Sequence, residues 1–171
     1  MKVRQYTAIA LATLLTPYIV NPRVAHAKDQ QTFAAHLVGD NEVPPINTKA
    51  TATLKLNVGS AISFTVEYAN LSTPLLFSHF HFGPTKVSGG VMIFLCGGGN
   101  QPTCPSTLSG TITGTITTAN VTGPAAQGIA PGDLTSALEA VGEGNSYINM
   151  HTTMFPSGEL RGQIKRGGGD D

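Results

Sequence analysis

The run Ala50-Thr51-Ala52-Thr53-Leu54-Lys55-Leu56-Asn57-Val58, then Gly59-Ser60, then Ile62-Ser63-Phe64-Thr65-Val66-Glu67-Tyr68, alternates apolar and polar residues throughout. Successive side chains of a strand point to opposite faces. One face is therefore made of Ala50, Ala52, Leu54, Leu56 and Val58, and the other of Thr51, Thr53, Lys55 and Asn57. That is the pattern of an antiparallel strand with one face on a core and one in water. Gly59-Ser60 supplies a two-residue turn, and the second run completes a β-hairpin.

Outward from the hairpin the same grammar repeats. Upstream, Phe33, Ala35 and Leu37 alternate with Ala34, His36 and Val38 as a first strand, which Gly39-Asp40-Asn41 ends. Glu42 then precedes Val43-Pro44-Pro45, where paired strand cannot continue; its carboxylate is expected to anchor the turn by accepting backbone N–H bonds. Downstream, Asn70 to Pro74 form a turn and Leu75 to Phe82 a strand, closed by Gly83-Pro84. Gly90 to Leu95 is apolar on both faces, which predicts a buried central strand. Leu108 to Thr117 is another strand, and Asn120 to Gly132 a long loop. Asp133 is placed to cap a short helix with Leu134, Leu138 and Val141 on one stripe, ended by Gly142 or Gly144. Strands at Ser146–Thr152 and Glu159–Lys165 follow. About seven or eight short strands with frequent turns and one short helix predict an all-β antiparallel sandwich or small barrel.

The N-terminus has a different character. Lys2 and Arg4 precede an apolar run from Tyr6 to Val20, broken by Pro17, and Ala25-His26-Ala27 follows. This reads as a secretory signal peptide over residues 1–27, cleaved after Ala27; about 15 apolar residues fall short of the roughly 20 needed to span a bilayer. Cleavage would leave seven of the ten basic residues and all ten acidic ones, a formal charge of −3. Such a chain has no basic surplus for nucleic acid or an anionic membrane. Residues 28–166 form the expected domain, and 167–171 a Gly/Asp tail. The only two cysteines, Cys96 and Cys104, enclose a glycine-rich loop. In a secreted chain they are expected to pair, stabilising the fold by roughly 2–3 kcal/mol on a chain-entropy argument. Seven intervening residues do not fit the usual zinc spacing. Asn70-Leu71-Ser72 and Asn120-Val121-Thr122 are glycosylation sequons, meaningful in a host that glycosylates exported proteins.

Chemistry concentrates on histidine. His79 and His81 share one face of their strand, and Ser78, Phe80 and Phe82 the other. In the later strand Ile148 and Met150 read as core-facing, which puts Tyr147, Asn149 and His151 opposite. If Phe80 and Phe82 face the core, all three histidines leave on the outer side, with Thr85–Gly90 and Val121–Gly132 available to cover them. Three neutral imidazoles suit Cu²⁺ or Zn²⁺. The plainer alternative is that each histidine only hydrogen-bonds a neighbouring loop. His36 is too far upstream to assign. Glu159 and Arg161, two apart in the last strand, are expected to form a structural ion pair. No Gly-x-Ser-x-Gly elbow or paired carboxylates point to hydrolysis.

Four segments occur in an order that resembles the CHRD domain, first described in chordin and common in secreted microbial proteins: Glu42-Val43-Pro44-Pro45, His79-Phe80-His81-Phe82-Gly83-Pro84, Tyr147 to Thr152, and Gly158-Glu159-Leu160-Arg161-Gly162-Gln163-Ile164. The resemblance spans about Thr32 to Lys165. It implies a secreted Ig-like or superoxide-dismutase-like antiparallel β-sandwich. Two departures are mild: Phe80 stands where the family usually has an aliphatic residue, and Ser157 where it usually has glycine. Chordin's von Willebrand C modules are absent from this sequence, so growth-factor antagonism does not carry over.

The resulting expectation is a secreted binding module for an unassigned extracellular ligand rather than an enzyme, with copper or zinc on His79, His81 and His151. The His-x-His plus a distant histidine is also similar to the copper half of Cu/Zn superoxide dismutases, which makes a copper redox enzyme the alternative. That resemblance lacks a fourth histidine and a zinc-ligand loop. A structural extracellular domain without ligand is the third reading.

Overall fold

The β2–β3 hairpin is where the alternation puts it: β2 is Thr51–Val58 and β3 Ile62–Ala69 in the computed structural model, which describes residues 30–167. The expected signal peptide and residues 168–171 lie outside the described residues. Val58 pairs with Ile62, so the connection is Gly59-Ser60-Ala61, one residue longer than expected. Ala52, Leu54, Leu56, Phe64, Val66 and Tyr68 are buried.

Around the hairpin stand β1 (Gln31–Val38), β4 (Leu75–Phe82), β5 (Gly90–Cys96), β6 (Gly110–Ile116), β7 (Ser146–Thr152), β8 (Leu160–Gln163) and β9 (Lys165–Arg166). They form one antiparallel path in the order β5-β4-β7-β8-β1-β2-β3-β6, with β9 added beside β1. The ends of the path, β5 and β6, also touch, so the sheet is nearly closed. The all-β antiparallel class holds. Inside lie Leu37, Leu56, Val66, Phe80, Met92, Leu95, Ile148, Met150, Leu160 and Ile164. Such burial is the main favourable term for a sheet of this kind.

Two expectations are corrected. Gly90–Cys96 is not a central strand but ends the path. Its free edge is closed by the segment after β6: Val121 bridges Ile93, and Thr122 N donates to Met92 O at 2.8 Å. Covering an edge satisfies backbone groups that would otherwise recruit another strand. The last strand is interrupted at Ile164, which turns fully inward and donates its N–H to Ser146 O at 2.9 Å.

Helix α1, Leu134–Gly142, starts at Asp133, whose Oδ1 accepts from Ser136 N at 3.0 Å. Ala137, Ala140 and Val141 are its buried residues; Leu134 and Leu138 are partly buried against the core. Cys96 and Cys104 are disulfide-bonded, with Cα atoms 4.9 Å apart. Of the two sequons, Asn70 is exposed, whereas Asn120 is buried with its Oδ1 accepting from Thr117 N at 2.8 Å. Among the described residues no helix is long and apolar enough to cross a membrane.

Candidate metal centre

The site is built on two neighbouring strands. In β4, Phe80 is fully buried in the core and Ser78 is fully buried beside it, so His79 and His81 project from the other face. β7 pairs with β4 antiparallel, setting Phe77 against His151, His79 against Asn149 and His81 against Tyr147. Ile148 and Met150 are fully buried in the core, which sends Tyr147, Asn149 and His151 to the histidine side. Both strands therefore present their histidines on the face that alternation predicts.

The three histidines meet. Ring centroids are 4.5 Å apart for His79 and His81, 4.6 Å for His79 and His151, and 6.5 Å for His81 and His151. One nitrogen from each ring lies within 4.8 Å of the others. Around a single ion with bonds of about 2.0–2.1 Å, ligand nitrogens stand roughly 3–4 Å apart, a spacing close to the one found here.

Hydrogen bonding decides which nitrogens are free. His81 Nδ1 is 2.8 Å from Gly89 O, and His151 Nδ1 is 3.0 Å from Pro156 O. A carbonyl only accepts, so both Nδ1 atoms carry the proton and both Nε2 atoms keep a lone pair. Those Nε2 atoms, together with His79 Nδ1, are buried and have no hydrogen-bond partner in the protein. Each of the three clustered rings therefore carries one orphaned nitrogen. The same Nδ1–H to carbonyl contact fixes ring orientation in metal sites.

The surroundings keep the rings neutral. Burial, reinforced by the neighbouring His81 and His151, lowers the pKa of His79 from 6.5 to about 2. Burial lowers His81 to about 4, with its contact to Gly89 opposing. His151 is also lowered by burial. Phe94 approaches His79 edge-on at 5.0 Å, and Phe77 approaches His151 at 6.2 Å. Of the two covering loops expected, 85–90 serves through Gly89. The 121–132 segment lies on the edge of β5 instead, and the turn holding Pro156 takes its place over His151.

Sequence reasoning put Tyr147 and Asn149 on the histidine face without giving them roles. Tyr147 stacks on His81, and its hydroxyl accepts from Gly89 N at 3.2 Å. Asn149 donates its amide to Glu42 Oε1 and, at 3.0 Å, to Leu160 O. Their position at two and four residues before His151, on the same face, was the available signal.

Glu42 is buried; its main partner is that side-chain amide, and the expected backbone contact is made as well, with Val43. Burial raises its pKa from 4.5 to about 7, against the lowering effects of Asn149 and Arg161. Gly158 is required beside it: φ is +127°, and a Cβ there would lie 2.8 Å from Asn149 Nδ2.

The expected Glu159–Arg161 ion pair is absent among the described residues. Glu159 precedes β8 and is fully buried; its carboxylate accepts from Thr48 Oγ1, Ser72 Oγ and Thr152 Oγ1, each at 2.8 Å, and from Ser72 N at 3.0 Å. Arg161 instead donates Nη2 to Val87 O at 2.8 Å and Pro84 O at 3.1 Å, with its guanidinium 3.5 Å from the Tyr147 ring centre. Hydroxyl donors from three segments reach the carboxylate, and the guanidinium is held by the turn over His81. Neither charge needs the other.

No curated protein and no solved structure matches the chain. The CHRD domain family model matches residues 33–164, from the first core residue of β1 to the inward-turned Ile164, and takes in all three histidines, Glu42, Glu159, Arg161 and the disulfide. The chain belongs to the CHRD domain family.

Proposed function

We propose that this domain is a secreted binding module that holds a transition-metal ion, copper or zinc, on His79 Nδ1, His81 Nε2 and His151 Nε2. The observation that carries the reading is that three clustered rings, with one nitrogen of each within 4.8 Å of the others, each bury an unpartnered nitrogen. Leaving such atoms buried and unpaired costs free energy, and an ion coordinated by all three removes that cost. Imidazole nitrogen is a ligand for both metals, and the rings are held in the neutral form that binds them. The family suggests an extracellular binding module, and a disulfide suits an oxidising compartment.

A superoxide-dismutase-type copper enzyme is the second reading. What favours it is that three protein ligands leave a coordination position open, on a nearly closed antiparallel sheet compatible with the superoxide-dismutase-like or Ig-like architecture that the resemblance implies. A bound copper would supply one-electron chemistry there; the chain's own part is to hold three neutral imidazoles.

Elemental analysis of the purified protein, beside His79→Ala/His81→Ala/His151→Ala, tests the proposal. The expected result is about one copper or zinc ion per wild-type chain, as a single site of this kind binds, and a trace in the variant. Trace metal in the wild type under metal-replete conditions overturns both readings. Copper uptake without superoxide consumption above the free-ion background removes the enzyme reading alone.

A further inference from the structure

A second feature lies on the other side of Arg161. A cleft of about 640 Å³ is bounded by the outer surface of β1 and β2, the end of β8, β9, and the turn at Thr85-Lys86. That volume is within the range of small-molecule sites. Its charge is one-sided. Lys86, Arg161, Lys165 and Arg166 line it with His36 and Asn41, and among the described residues no carboxylate does. The whole chain has ten basic and ten acidic residues, and four of the ten cations converge on one concavity that no acidic side chain among the described residues lines. Glu67, across β2 opposite Thr53, lies outside the lining.

The cations are placed rather than scattered. Lys86 occupies a left-handed conformation, φ +64°, which a lysine adopts at a cost, and its Nζ is tethered to Asp40 O at 2.6 Å. Arg166 is held over the Phe33 ring at 5.6 Å. β9 exists as a strand only because Ile164 turns inward and lets Lys165 and Arg166 pair with Ala34 and Phe33. Arg161 is almost wholly buried, its Nη2 spent on two carbonyls, so it adds charge from the floor instead of reaching a ligand. A concave surface with one sign of charge focuses potential and concentrates counter-ions.

We propose that this cleft binds a small, multiply charged anion, carrying carboxylate, sulfate or phosphate groups, through Lys86, Lys165 and Arg166. Asn41 and Thr53 are available for its neutral hydroxyl or carbonyl groups. The site is separate from the three histidines and does not depend on a metal being bound there. The two sites share Arg161, which faces Tyr147, the ring stacked on His81.

The test is an amide-shift NMR titration of the protein with two dianions of different shape, succinate and inorganic sulfate, at low ionic strength. Saturable shifts are expected around Ala34, Lys86, Lys165 and Arg166 with at least one of them. Affinity should fall about tenfold or more in Lys86→Ala/Arg166→Ala, equivalent to about 1.4 kcal/mol, and stay unchanged in Lys49→Ala, an exposed lysine outside the cleft. All three substituted side chains are exposed, so the variants keep the fold. Preference for succinate or sulfate separates a carboxylate ligand from an oxyanion ester. Linear, non-saturating shifts spread over every lysine, an equal loss in Lys49→Ala, or an unaltered affinity in the cleft variant would each overturn the proposal.

Discussion

The His81 imidazole lies parallel to the Tyr147 ring, with centroids 4.6 Å apart and planes within 2°. The Arg161 guanidinium covers the opposite side of that ring at 3.5 Å. The contact is part of a closed circuit: His81 Nδ1–H donates to Gly89 O, and Gly89 N–H donates to the Tyr147 hydroxyl. One turn thereby fixes both the tautomer and the tilt of a candidate ligand.

Tyr147→Phe keeps the stack and loses one hydrogen bond, a cost of about 1 kcal/mol. Tyr147→Ala removes a buried ring, costing about 3–5 kcal/mol, and frees His81 to rotate. Its metal affinity should drop about 10–100-fold, the usual effect of losing an outer-shell support, while Tyr147→Phe changes affinity much less. Urea denaturation and metal titration of the two variants check this; equal metal affinities would show that the stack does not orient His81.

Acid should destabilise the metal-free protein through the histidines. Their folded pKa values lie below the unfolded value of 6.5, at about 2 for His79 and about 4 for His81. As pH falls below 6.5 the unfolded chain takes up protons that the folded rings refuse, so stability declines until each folded pKa is reached. By pH 4.5 the loss should be about 2–3 kcal/mol for each of the two. Unfolding free energies measured from pH 7.5 to 4.5, against His79→Asn, test it. A wild-type profile no steeper than the variant's would sink the prediction.

Glu42 works in the opposite direction. Its folded pKa of about 7 lies above the ordinary 4.5. Between those values the unfolded chain has released the proton and the folded one retains it, so rising pH removes stability, up to about 3 kcal/mol by pH 8. Glu42→Gln keeps an acceptor for Asn149 and cannot ionise. The variant should match wild type near pH 4 and exceed it at pH 8, and the difference between the two profiles isolates this group from the histidines.

Glu159→Ala should be among the most damaging single changes. It strips the acceptor from Thr48, Ser72 and Thr152 together, and the fully buried Thr152 hydroxyl left unpaired by itself costs about 1–3 kcal/mol. Arg161→Ala, by contrast, should disturb the 84–89 turn and leave hydrogen-exchange protection around Thr48 and Ser72 intact. Loss of protection at those residues in Arg161→Ala would mean that the two charges act together after all.

The sequence by itself determined what depends on neighbours along the chain. Alternation in Ala50–Tyr68 gave the hairpin and its buried face. Parity alone sent His79 and His81 away from Phe80, and His151 away from Met150, because side-chain direction in a strand is set by the backbone. The Asp133 cap and the cysteine loop were local as well. Only the tertiary structure decided what depends on partners distant in sequence. It put β4 beside β7, and so brought His151 to His79; it left β5 at the end of the path with Val121 along its edge. It gave Glu159 three hydroxyl donors and Arg161 an aromatic ring, where spacing suggested an ion pair. Pairing order and loop placement are non-local, and the alternation that marks a strand is the same whichever strand lies next to it.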